Sequence, residues 1–223
     1  MDAVVFDFDG LILDTETPLF EAWQSTYEHF GVAPIELEHW VASLGLPSND
    51  PKHLDRHGLL EHRLGRPLVD ADVEEIRRRM RDQALDEQPL LPGVLALLDQ
   101  AKDQGLGIAI ASSSPTDWIE RHLGPRGLLD RFQHLSCAGP SLPGKPDPAT
   151  YANACARLGV DPARAVAFED SPHGVQAAKS AGMFAVACPN PISRALDFSH
   201  ADRVVTSLEH VDLGGIGLGR STL

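Results

Sequence analysis

Residues 3–16 read AVVFDFDGLILDTE. The first four, Ala3 to Phe6, are apolar, rich in Val and Phe, and followed by a turn signal at Gly10, the pattern of a short buried strand. Asp7 and Asp9 follow where that strand must end. Side chains alternate along extended chain, so positions two apart project to one side. Here that side lies beyond the carboxyl edge of a sheet, where open α/β sheets place their ligands. Two carboxylates this close repel unless a cation lies between them or one keeps a proton. Taken by itself the pair has an alternative reading as turn residues, since Asp favours turns through local hydrogen bonds.

The chain has 223 residues, enough to bury a large core as one domain or as a domain with a smaller insert. Its formal charge of -13 argues against a general nucleic-acid surface, which needs a basic stripe. A small anionic substrate stays compatible, because a metal ion or a few cations reverse the field inside a cleft. Cys137, Cys155 and Cys188 are widely spaced and fit neither a disulfide framework nor a thiolate metal site. The chain enters its first strand with no signal-type apolar region, and no stretch has the length of a membrane span. The expected setting is therefore cytoplasmic, with no membrane and no nucleic-acid partner.

Downstream, Leu19, Trp23, Tyr27 and Phe30 recur at helical spacing with Phe20 alongside, predicting a helix from Thr17 to Phe30 with an aromatic face. Such a stripe usually packs a core; Trp23 is the member that also suits a substrate pocket. Residues 34 to 88 read as further helices with no strand between them: Ile35–Leu44, Lys52–Leu64, and Ala71–Leu85 with Asp70 as N-cap. Arg77, Arg78, Arg79 and Arg81 lie among Glu74, Glu75 and Asp82 and read as a solvated, ion-paired face. This helical stretch interrupts an alternation of strands and helices and reads as an inserted cap.

After it, Pro92 predicts the start of a helix running to Gln104. The apolar run Leu106–Ala111 reads as a strand and ends in Ser112, Ser113 and Ser114. These hydroxyls either hold an anion together with free amide groups or, through Ser114, cap the helix beginning at Pro115. A weaker strand, His134–Ala138, precedes the loop GPSLPGKPDP. There Gly144 and Pro146 fix the backbone of Lys145, one of four lysines, without burying it. The strand Ala165–Phe168 ends in Glu169 and Asp170, followed by a helix from Pro172, a strand Met183–Ala187 and a last short one at Arg203–Val205. The glycine-rich tail reads as irregular. Strands alternating with helices imply a mostly parallel sheet, so the polar clusters at the ends of these strands should converge along one edge.

DFDGLILDTE, IASSSP, GKPDP and FEDSPHGVQAAKSAGM, in that order, resemble the haloacid dehalogenase-like hydrolase superfamily, in the branch with a helical cap inserted after the first strand. The resemblance implies an α/β Rossmann-like parallel-sheet core formed by residues 1–14 and 89–223, with residues 15–88 as an α-helical cap domain. It implies phosphoryl transfer through an aspartyl phosphate with Mg2+ as cofactor. Asp7 is the expected nucleophile, because a carboxylate needs no prior deprotonation, and Asp9 the expected general acid and base. Mg2+ is a hard cation suited to the carboxylates of Asp7 and Asp170, with the main-chain carbonyl of Asp9, and with Glu169 binding directly or through water. Ser112, Ser113 and Lys145 are expected to hold the phosphoryl group.

The pattern is similar to sugar-phosphate phosphatases and to β-phosphoglucomutase. At the position where the mutase has a histidine this chain has Leu19, and its cap arginine falls at Ser48, so hydrolysis is favoured over transfer within a sugar. Trp23, Ser48, Asn49, His53 and Arg56 are the candidate contacts for substrate specificity. The expected partner is a small phosphorylated metabolite and the expected state a monomer or weak dimer. The alternatives are a phosphomutase and a non-catalytic binding protein of the same fold.

Overall fold

The computed structural model describes residues 1–46 and 50–216, apart from the side chains at positions 70, 72, 77, 79–81, 83 and 87 within one helix. Six parallel strands form one sheet: β1 (Ala3–Phe6), β2 (Gly107–Ser112), β3 (His134–Cys137), β4 (Ala165–Glu169), β5 (Phe184–Ala187) and β6 (Arg203–Val204), in the order β3-β2-β1-β4-β5-β6. β1 lies between β2 and β4, with Phe6 level with Ile110 and with Phe168. The strand order reverses between β1 and β4, the switch point at which doubly wound sheets bind ligands.

Alternation along the strands gives the two faces different sizes. Val4, Phe6, Ile108, Ile110, Val166 and Phe168 point to one face, where Phe6 stacks on Phe168 at 5.2 Å. That face is covered by helices α5 (Val94–Asp103) and α6 (Thr116–Leu123). Ala3, Val5, Ala109, Ala111, Ala165 and Ala167 point to the other face, and their small side chains let α7 (Ala149–Leu158) and α8 (Pro172–Ser180) pack close.

Between β1 and β2 the chain forms α1 (Glu16–His29), α2 (Leu37–Val41), α3 (Arg56–Leu64) and α4 (Asp70–Glu87). They share a separate apolar cluster of Trp23, Tyr27, Ile35, Trp40, Leu44, Leu60 and Val73, joined by Ile192 from the loop after β5. The two connections to this insert run side by side, with Leu13 bridged to Leu90 and Leu91 N–H donating to the Ile12 carbonyl at 3.0 Å.

Several boundaries differ from the sequence expectation. α2 is one and a half turns rather than the whole of Ile35–Leu44. α3 starts at Arg56 because the Asp55 carboxylate caps it, accepting from Gly58 N–H at 2.8 Å. In α4 the cap position is Val69 and Asp70 is already helical. Pro92 does not start α5: Gly93, at φ +88°, intervenes, and a Cβ there would overlap the backbone of Leu208 and Glu209. The tail carries a short 3₁₀ turn at Leu213–Gly215, with Leu213 and Ile216 in the core.

Cys155 is buried, Cys137 and Cys188 are partly buried, and all three are free thiols. Among the described residues no helix is long and apolar enough to cross a membrane.

Candidate active site

β1 ends at the switch point, and Asp7 extends its ladder by one bond, its N–H donating to the Phe168 carbonyl at 2.9 Å. Gly10 then turns the chain at φ +74°; a Cβ there would overlap the Asp170 carboxylate and the Asn190 amide, so glycine is required twice over. β4 ends level with β1 and delivers Glu169 and Asp170 beside Asp7. One oxygen from each of the three buried carboxylates lies within 4.8 Å of the others.

Lys145 enters this group. Its Nζ lies 2.5 Å from Asp7 Oδ1 and 2.5 Å from Glu169 Oε1, and the residue is 1% exposed. The expectation of an unburied lysine is corrected: two buried carboxylates compensate the desolvation of its ammonium, which one partner seldom does. Burial opposes its charge, yet Asp7 and Glu169 together raise its pKa above the ordinary lysine value. Burial first, and then the charge of Glu169, lift Asp7 to about 8 against the pull of Lys145. Asp170 is raised well above its usual range by burial and by Asp7. One ammonium thus serves three carboxyls, and the all-oxygen donor set is of the kind that hard divalent cations take.

Glu169 is the most constrained of the three. Tyr151 Oη donates to its Oε1 at 2.7 Å, Ser171 Oγ to its Oε2 at 3.1 Å, and the N–H groups of Asp170 and Ser171 approach Oε2 at 3.2 and 3.3 Å. Gly174, on the first turn of α8, leaves room for this carboxylate, which a Cβ would overlap. Asp170 Oδ2 accepts from the Asn190 amide at 2.7 Å.

Asp9 is partly buried. Its Oδ1 accepts from Thr15 Oγ1 at 2.9 Å and from Trp118 Nε1 at 2.8 Å, and its Oδ2 from Ser114 Oγ at 2.6 Å. Ser114 therefore faces the site, and α6 carries no side-chain cap. Ser112, at the end of β2, is buried; its Oγ accepts from Ser114 N–H at 3.0 Å and keeps its own proton to donate. Ser113 ties loops together instead: its Oγ accepts from Lys145 N–H at 3.1 Å and donates to the Gly45 carbonyl of the insert at 2.9 Å.

Asp7, Asp9, Ser112, Ser113, Ser114, Lys145 and Asp170 line a cavity of about 280 Å³ between the strand ends and the insert. Its far wall is formed by Leu19, Trp23, Trp40, His53 and Arg56, with Glu16 at the join. Trp23 thus belongs both to the apolar cluster of the insert and to the cavity. The Arg56 guanidinium lies 4.1 Å over the Trp40 ring and 3.3 Å from His53 Nε2. Burial, followed by the charge of Asp9, lifts Glu16 to about 7. Ser48 and Asn49 lie outside the described residues, as do the side chains of Arg77, Arg79 and Arg81; Arg78 pairs with Glu75 on the exposed face of α4.

Ser114, weighed in the sequence as an anion holder or a helix cap, joins the site through Asp9. Glu16, Trp118, Tyr151 and Asn190 complete the site without having been singled out for it. Glu16 carried a signal, standing beside Asp14 and Thr15 in the opening stretch. Trp118, Tyr151 and Asn190 had none.

A family model described as haloacid dehalogenase-like hydrolase matches residues 4–188. The chain belongs to that family. It is 37% identical over 211 residues to YhcW of Bacillus subtilis (strain 168), covering 95% of this chain and 94% of that protein. It is 33% identical over 202 residues to hexitol phosphatase B of Escherichia coli (strain K12), covering 85% and 84%. Among solved structures, CbbY from Rhodobacter sphaeroides in complex with phosphate superposes with a TM-score of 0.73 at 27% identity, over 94% of this chain and 96% of that one. This haloacid dehalogenase-like hydrolase is a phosphatase, related to β-phosphoglucomutase and to phosphatases of phosphorylated carbohydrates. Its acidic triad of Asp7, Glu169 and Asp170 could bind a metal ion.

Proposed function

We propose that the enzyme hydrolyses a small phosphomonoester, a sugar or polyol phosphate, through an aspartyl phosphate on Asp7, with Mg2+ as cofactor. The observation that carries this reading is the Asp7 carboxylate at the switch-point strand end, with Lys145 on one oxygen and two further buried carboxyls within reach. Asp7 and Asp170 would hold the ion with the main-chain carbonyl of Asp9; Glu169, already engaged by Tyr151, Ser171 and Lys145, would act directly or through water. Bound there, the ion supplies charge neutralisation and Lewis-acid polarisation of a phosphoryl oxygen.

Asp7 attacks phosphorus, forming one P–O bond as the bond to the leaving oxygen breaks, and Asp9 gives that oxygen a proton. In the second step Asp9 takes a proton from water, which attacks the same phosphorus and releases Asp7 and inorganic phosphate. Ser112 donates a hydrogen bond to the transferring group, and Lys145 offsets its negative charge. Ser113 contributes by fixing the Lys145 loop.

Residues 1–14 and 89–223 act as the core domain and 15–88 as a cap that closes over the cavity and excludes water. Trp23, His53 and Arg56 then face the leaving group; Ser48 and Asn49, the other candidate contacts, lie outside the described residues. The walls suit a hydroxylated carbon skeleton: aromatic surface for its C–H groups and a carboxyl and a guanidinium for its hydroxyls. The E. coli relative is named a hexitol phosphatase, which supports the same class. Leu19 lines the cavity at the position where the mutase has a histidine, and this departure favours hydrolysis over a mutase.

Phosphate release from a panel of hexose, pentose and hexitol phosphates, with Mg2+ and with EDTA, tests the proposal. Metal-dependent release that disappears in Asp7→Asn is expected. No release from any ester, or isomerised sugar phosphate outrunning free phosphate when a bisphosphate is added, would overturn it.

A further inference from the structure

Asn190 stands buried in the loop after β5, and both polar atoms of its side chain are engaged. Its Oδ1 accepts from the N–H groups of Ile192 and Ser193 at 2.9 and 3.0 Å. Two backbone donors on one atom must face the amide oxygen, so the nitrogen points the other way. There Nδ2 donates to Asp170 Oδ2 at 2.7 Å and to the Gly10 carbonyl at 3.3 Å. The amide thus joins two strand ends: Asp170 follows β4, and Gly10 follows Asp9 in the turn beyond β1.

The loop that carries it is anchored on two sides. Asn190 N–H donates to Ser193 Oγ at 3.1 Å, and the Asn190 carbonyl accepts from Arg194 N–H at 3.0 Å, which closes a turn. Ile192 packs into the apolar cluster of the insert. A side chain fixed at both ends of its amide can fix another.

The three buried carboxyls differ in what holds them. The Lys145 ammonium takes Asp7 and Glu169, and the hydroxyls of Tyr151 and Ser171 also donate to Glu169. Asp170 is held by a neutral amide instead. An ammonium in that place would compete with a cation for the carboxylate, whereas an amide sets the plane of the group and leaves its charge in place. We infer that Asn190 is a positioning residue for the metal, which holds Asp170 Oδ2, leaves Oδ1 to the ion and ties this ligand to the turn after Asp9. This rests on the reading of Asp170 as a direct ligand. Asn190 does not line the cavity, so it acts through Asp170 and is not itself catalytic.

Mn2+ is the probe, added stepwise to the full-length, metal-free protein; the free-ion electron paramagnetic resonance signal gives its affinity, and Mg2+ displaces it. Asn190→Ala removes the donor to Asp170 but also the acceptor of two loop N–H groups. Asn190→Ser keeps a hydroxyl acceptor for the loop and withdraws the donor, which separates the two roles and covers the case in which the Ala variant folds poorly. Both variants are expected to bind Mn2+ about tenfold more weakly than the parent. Ser193→Ala loosens the same turn without touching Asp170, and it is expected to change the affinity by less than about twofold. Parent-like affinity in Asn190→Ser, or an equal fall in Ser193→Ala, would overturn the role of Asn190, while loss of binding in Asp170→Asn would keep Asp170 as a ligand. No saturable binding in the parent, or binding that Asp170→Asn leaves unchanged, would remove that ligand and the inference with it.

Discussion

Glu16 stands where the insert meets the strand ends, lifted to about 7 by burial and by the neighbouring charge of Asp9. The folded chain therefore holds a proton that the unfolded chain releases near the ordinary value of 4.5. Its contribution to stability is present in full below that value and is lost as pH rises through about 7. Glu16→Gln cannot ionise and removes this slope. Thermal unfolding of the metal-free protein between about pH 5 and pH 8 should show the variant gaining on the parent as pH rises; parallel curves would contradict the assignment. Tyr151 belongs to the same scale, since its hydroxyl orients the Glu169 oxygen that also faces Lys145. Tyr151→Phe should cost about 1–2 kcal/mol in chemical denaturation, because a buried carboxylate loses a donor that no water replaces. Asp7, Asp9, Ser112 and Asp170 were legible because each sits next to local punctuation, a strand end before a turn. The burial of Lys145 was not, because it depends on Asp7, 138 positions away, and on Glu169. Trp118 reaches Asp9 across 109 positions and left no local mark.

The element that joins the two halves of the molecule is α6 with the turn that follows it. Its first turn brings Trp118 to Asp9, and beyond its last turn Arg126 donates to the carbonyls of His122, Leu85, Asp86 and Gln88. Three of those acceptors belong to the end of α4 and the return connection, where the last-turn carbonyls lose their ordinary i+4 donors and Leu85 accepts from Gln88 N–H at 3.3 Å. Arg126→Leu should therefore destabilise the protein by about 2 kcal/mol and raise hydrogen exchange around residues 85–90 ahead of the sheet. Uniform loss of protection across the sheet would contradict this. The six strands were readable from apolar runs bounded by turns, and α1 from its aromatic spacing. The start of α5 was not: Pro92 is a normal helix opener, but the close approach of Leu208 and Glu209 imposes a left-handed glycine at position 93 and delays the helix.

Over the whole molecule, a formal charge of -13 is concentrated in one respect that matters for stability: three buried carboxyls gather around a single ammonium. A divalent cation should relieve that repulsion, so Mg2+ should raise the thermal midpoint and EDTA should reverse the rise. Asp170→Asn keeps an acceptor for the Asn190 amide but lowers the carboxyl count, and it should raise the metal-free midpoint by a few degrees while abolishing the response to Mg2+. A variant that is less stable without metal, or that still responds to it, would contradict the charge argument. The central claim is that Asp7 is the atom-bearing partner of phosphorus, and it can be tested without knowing the substrate. Beryllofluoride binds an aspartate oxygen as a tetrahedral stand-in for a phosphoryl group, and its fluorine resonances report on that bond. The account predicts Mg2+-dependent bound resonances in the parent and in Asp9→Asn, and none in Asp7→Asn; bound resonances that persist in Asp7→Asn would contradict it.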